Sequence, residues 1–167
     1  MERLIRYVGG VAFITLLGMV GVTLVDVILR LISRIPGAPL AGIVPPAVPG
    51  VVDLVQLALV AVAHLSIAVT FMLGSHVTVD IIANLLPQKL RLATRRAGWA
   101  VSFVFMAGCF YEAIGQARGQ YADGVLSSTI NLPIWWYWLP VIAGTALAAL
   151  ACFAHVVRRS ATDTGRS

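Results

Sequence analysis

Charge is scarce in this chain. Lys plus Arg number 12 and Asp plus Glu 7 among 167 residues, so that 11% are charged while 59% are hydrophobic. A soluble domain carries about 25% charged and about 45–50% apolar residues, and a chain this poor in polar groups cannot cover a water-facing globule. That excludes a soluble enzyme. Cysteine is scarce too, and two residues build no disulfide framework. Also missing are a P-loop, a Gly-x-Ser-x-Gly elbow, a catalytic dyad, a nucleotide fingerprint, a Cys-x-x-Cys-His haem attachment and any His, Cys and carboxylate cluster with zinc spacing. The sequence therefore calls for no cofactor and no metal. What it does have is long apolar runs and a mean hydropathy of +0.91. The net charge of +5 resides in short basic clusters between those runs, the pattern of membrane flanks and not of a nucleic-acid surface.

A spanning helix needs about 20 mostly apolar residues, and four stretches qualify, near residues 8–30, 51–74, 97–117 and 132–157. The first follows Arg3 and Arg6 as a signal peptide would, but its apolar run is longer than a signal's and no small-x-small cleavage site follows it closely, so it reads as a membrane helix. Residues 31–50 are also apolar. Pro36, Pro39, Pro45, Pro46 and Pro49 would break any helix there, which makes this stretch an outer loop. The loop 118–131 lies on the same side, and the tail 158–167 on the other, within one membrane domain spanning residues 1–167.

Orientation follows from the basic residues of the loops. Arg3, Arg6, Lys89, Arg91, Arg95, Arg96, Arg158, Arg159 and Arg166 fall on one side, against Arg30, Arg34 and Arg118 on the other. The richer side is cytoplasmic, so both termini are predicted inside, and Trp135, Trp136, Tyr137 and Trp138 form an outer aromatic belt. Between the second and third spans, residues 78–95 read as an amphipathic helix on the inner leaflet. Ile81, Ile82, Leu85 and Leu86 recur at helical spacing, Pro87 interrupts, and Lys89, Arg91, Arg95 and Arg96 offer a basic face to lipid. The expected class is an all-α integral membrane protein of four transmembrane helices plus this surface helix.

Every ionisable group at membrane depth needs an account. Asp26 near the outer end of the first helix has Arg30 four residues on, within reach of a local ion pair or of a partner subunit. Asp53 opens the second helix, where the helix dipole favours an anion. At 100° per residue His64 lies about 20° and Gln56 about 60° from Asp53 around the helix, so the three form one polar stripe that must face the bundle or another protein. Glu112 has Gln116 four residues on and Gly108, Gly115 and Gly119 near the same face, an edge suited to close packing. Asp26, Arg30, Asp53, Gln56, His64 and Glu112 are thus the candidate subunit contacts. Cys109 and Cys152 differ in depth by about 10 Å, too far for a bridge, and with the alanine-rich run 143–154 they read as packing residues.

Several of these residues, taken in order, carry a resemblance. Asp26-x-x-x-Arg30 ends helix one, Asp53-Leu54 opens helix two, His76-Val77-x-Val79-Asp80 closes it, Pro87 precedes basic residues, and Leu132-Pro133 opens helix four. The chain resembles the small, DctQ-like membrane subunit of tripartite ATP-independent periplasmic (TRAP) transporters, over roughly Arg3 to Arg159. The resemblance implies a bacterial inner-membrane complex with a large permease subunit and a periplasmic substrate-binding protein, importing organic acids with sodium. It further implies that the small subunit is a support, with His76, Val79, Asp80, Pro87, Leu132 and Pro133 as family positions. His76 and Asp80, four apart, would fix the turn into the surface helix. His64 stands outside the family pattern. Two other functions remain open from the residues alone: an autonomous small transporter or channel using Asp26, Asp53 or Glu112, and an electron-transfer subunit with haem on His64.

Overall fold

A computed structural model describes residues 2–35, 45, 47–74 and 87–164. It contains four long helices: α1 Glu2–Ser33, α2 Val51–Leu73, α3 Gln88–Ala122 and α4 Trp138–Thr164, the last preceded by a 3-10 turn over Ile134–Tyr137. Each holds a segment long and apolar enough to cross a membrane, and no strand forms among the described residues, where one antiparallel bridge joins Leu126 to Pro133. The expected all-helical, four-span architecture is the one observed.

The helices form an open layer and not a closed bundle. α1 packs on α2, α2 on α4, and α4 on α3, and no direct α1–α4, α1–α3 or α2–α3 packing occurs among the described residues. Consecutive helices run antiparallel, so that α1 begins, α2 ends, α3 begins and α4 ends at the same edge of the layer. α4 occupies the inside of this layer because its residues are small: Ala148, Ala151 and Cys152 are buried, while Leu150 and Phe153 point outward. Together with Phe71 and Met72 of α2 and Trp99 of α3 they make the main apolar core, near the termini. α1 is apolar around its whole circumference, with Tyr7, Phe13 and Ile14 more than half exposed, as suits a helix whose solvent is lipid.

Four threonine hydroxyls within the spans are satisfied inside their own helix, since lipid offers no partners. Thr15, Thr23, Thr70 and Thr145 donate to the carbonyls of Val11, Met19, Ser66 and Val141, four residues back. α2 and α4 cross closely at Gly144. A Cβ at that position would lie 2.6 Å from the carbonyl oxygen of His64, so only glycine admits this separation of the two axes.

Two expectations meet the structure differently. The surface segment 78–95 was set apart from the third span, but residues 88–95 are continuous with α3, which runs unbroken to Ala122; nothing in Lys89 through Arg96 disfavours helix, and Pro87 sits as its N-cap, where a missing N–H is harmless. Residues 78–86, together with His76, lie outside the described residues. The loop after α3 correspondingly starts at Asp123, with Gly124 in the left-handed conformation (φ 62°) ending the helix.

Candidate functional site

Polar groups concentrate in two places, a cap at the layer edge opposite the termini and a groove along the face of α4. The cap is organised by Asp53, which is 2% exposed although it stands in the first turn of a lipid-crossing helix. Its Oδ2 accepts from Ser127 Oγ at 2.6 Å, Ile130 N at 3.1 Å and Thr129 N at 3.2 Å. One carboxylate therefore gathers the α3–α4 loop. Ser127 passes the order on. Its hydroxyl accepts from Leu132 N, and its own N–H donates to Leu132 O, closing a hairpin-like turn in which Asn131 takes a positive φ of 53°. Tyr137 donates its hydroxyl to the main-chain carbonyl of Asp53 at 2.9 Å, pinning the 3-10 turn to α2.

Asp26 does for the first loop what Asp53 does for the last. Its Oδ2 accepts from Arg30 Nε at 2.7 Å and its Oδ1 from Val48 N at 2.8 Å, tying the turn that precedes α2 back to α1. That turn ends on Gly50, whose φ is 73° and whose Cβ, if it had one, would collide with the side chain of Ile130. The α1–α2 and α3–α4 connections thus meet across Gly50. Arg30 keeps half of its side chain exposed, and with Arg34, also exposed, it presents cations at the C-terminal end of α1.

The groove has α4 as its floor and α2 and α3 as its walls. Its outer part, about 680 Å³, runs from Asp53, Gln56 and His64 across to Gln120, Tyr137 and Trp138. A second part of about 390 Å³ continues from His64 and Trp138 to Phe105, Glu112, Gln116 and Gly144. The stripe Asp53, Gln56, His64 expected from helical periodicity does line one surface. Its members differ in kind. Asp53 is taken up within this chain by the α3–α4 loop. His64 donates Nδ1–H to the Val60 carbonyl at 2.9 Å, and Gln56 is exposed. Glu112 and Gln116 are exposed on α3, and Glu112 has no hydrogen-bond or ion-pair partner among the described residues.

At the termini edge His155 stacks on Trp99, ring centroids 4.3 Å apart, with Gly74 against both. His64, at the α2–α4 crossing, stands well away from it along the layer. No group of three or more metal-ligating side chains occurs among the described residues. Cys109 and Cys152 are free thiols, as their depths required. Of the family positions, Leu132 and Pro133 take part in the cap, Pro87 caps α3, and His76, Val79 and Asp80 lie outside the described residues. The side chains of Lys89, Arg91 and Arg95 are likewise outside them, while Arg96 is exposed.

Reading the sequence missed Ser127, Thr129, Tyr137, Gln120 and Gly144. Gly124, Ser127, Ser128 and Asn131-Leu132-Pro133 are a turn-forming cluster, a legible signal for a structured loop, but nothing local ties it to Asp53. The chain matches the family model described as Tripartite ATP-independent periplasmic transporters, DctQ component, over residues 19–162, most of its length. No curated protein matches it.

Proposed function

The chain belongs to the DctQ component family of tripartite ATP-independent periplasmic transporters, and on that premise we propose that it is a static support in the bacterial inner membrane for a larger permease subunit. It is a multi-pass membrane component of a transporter; the finer reading is that it braces the permease and helps seat a periplasmic binding protein, while organic anions and sodium pass through the other chains. Both termini are cytoplasmic in this reading, which places Arg30, Arg34 and the Asp53 cap on the periplasmic side. The single observation carrying it is the division of polar groups: those of the cap are consumed within the chain, and those of the groove converge on no pore or ligand cage but line an open face.

Seating of the binding protein falls to the cap edge. Arg30 and Arg34 flank a small hollow with Val27 and Leu31, and cations at a helix C-terminus attract an acidic partner surface and speed its approach. Co-expression tests the support reading. A tagged form of this chain, purified in mild detergent with the other transporter components present, should retain a much larger membrane protein, and recovery of this chain alone would refute it.

A further inference from the structure

We infer that the groove between α2 and α3 seats a membrane-spanning helix of the transporter's other membrane component, and that this helix presents hydrogen-bond donors, with a Lys or Arg opposite Glu112. The inference rests on the support reading and deepens it by naming the face and its chemistry.

The groove is rich in acceptors that lack donors. His64 Nδ1 bonds the Val60 carbonyl, and since a carbonyl only accepts, Nδ1 carries the hydrogen and Nε2 is left as an acceptor. Gln120 Oε1 is buried without a donor among the described residues. Glu112, with no partner among the described residues, adds a carboxyl group. These three groups line one continuous surface, because the two parts of the groove share His64, Trp138 and Val141. Acyl chains donate nothing, and a polar group left unmet in hydrocarbon is costly.

Depth argues against a lipid headgroup as the occupant. Glu112 lies six residues before Arg118, the first basic residue past it, about 9 Å along the axis at 1.5 Å per residue and thus inside the span. Arg118, six residues on, is beyond the i+4 reach that would neutralise it. A cation that meets Glu112 there must be carried into the bilayer by a polypeptide, and charge complementarity selects a helix with Lys or Arg. The rest of the surface suits such a helix. Ile67, Phe105, Met106 and Val141 supply apolar contact for it.

The test uses the chain co-expressed with its transporter partners in native membranes, with a benzophenone amino acid replacing Gln116 in the groove or, as a control, Ile14 on the outward face of α1. Irradiation should join the Gln116 position to the large membrane component at least about tenfold more than the Ile14 position. Adducts from Ile14 but not from Gln116, or from Gln116 to lipid or a second copy of this chain only, would overturn the groove assignment while leaving the support reading intact. If the parent chain does not copurify with that component at all, the support reading falls first. A charge series guards against a silent probe. Glu112→Lys should lower the yield of the complex about tenfold or more, through like-charge repulsion, and Glu112→Gln less, while the amount of this chain in the membrane stays constant. Parental complex yield with Glu112→Lys would equally overturn the inference.

Discussion

Asp53 and Glu112 are both carboxylates on lipid-crossing helices, and they have opposite surroundings. Asp53 is buried under three donors from a loop more than 70 residues away in sequence; Glu112 is exposed and has no donor among the described residues. Since desolvation penalises both, the difference shows what each is for. A carboxylate satisfied by its own chain fixes that chain's shape, and one left unsatisfied marks where the shape is incomplete. The cap and the groove differ in the same way: Ser127, Tyr137 and Asp26 have partners in hand, whereas His64 Nε2 and Gln120 Oε1 have none among the described residues.

This contrast predicts that cap and floor variants damage the chain by itself, whereas groove-wall variants damage only its assembly. The largest effect should come from Asp53→Ala, which strands Ser127 Oγ and the N–H groups of Thr129 and Ile130. Limited proteolysis in detergent should cut between residues 123 and 133 about a hundredfold faster, the factor for three lost hydrogen bonds at about 1 kcal/mol each. Next comes Gly144→Leu, which forces α4 from α2 at the groove floor. An overpacking penalty of about 1–3 kcal/mol should appear as a lower thermal midpoint of the isolated chain. A parental midpoint would mean that the crossing is looser than the 2.6 Å approach demands. Reversing Arg34 to Glu should weaken capture of the binding protein by the assembled transporter several-fold, and more at low salt, while leaving assembly unchanged. Tyr137→Phe should have the smallest effect, about 1 kcal/mol for one hydroxyl bond. If it instead rivalled Asp53→Ala, the cap would be organised by the 3-10 turn and not by the carboxylate.

Much of this architecture was legible in the sequence, for identifiable reasons. Gaps in charge expose the spans, because burying a charge in lipid is costly enough to leave few exceptions. The Asp26–Arg30 pair and the Asp53, Gln56, His64 stripe follow from helical spacing alone. The layer order α1, α2, α4, α3 was not legible: α1 is apolar on all sides and shows no preferred face, and the polar stripe of α2 does not name the neighbour it meets. Nor was the role of Asp53, since a favourable position for the helix dipole and an anchor for a distant loop look the same in sequence. Gly144 was hidden within an alanine-rich run, and only the three-dimensional crossing distinguishes it from its neighbours. The join of residues 88–95 to α3 was obscured by the basic cluster, which marks a lipid surface without marking a helix end.

The central claim, that solute passes through other chains and this one supplies only support, is tested most directly by transport into proteoliposomes. With a sodium gradient and an organic-anion substrate of the transporter, vesicles holding this chain alone should accumulate nothing above empty vesicles, and adding the large membrane component and the binding protein should start uptake. Substrate-specific, saturable uptake by vesicles containing this chain alone would contradict the account.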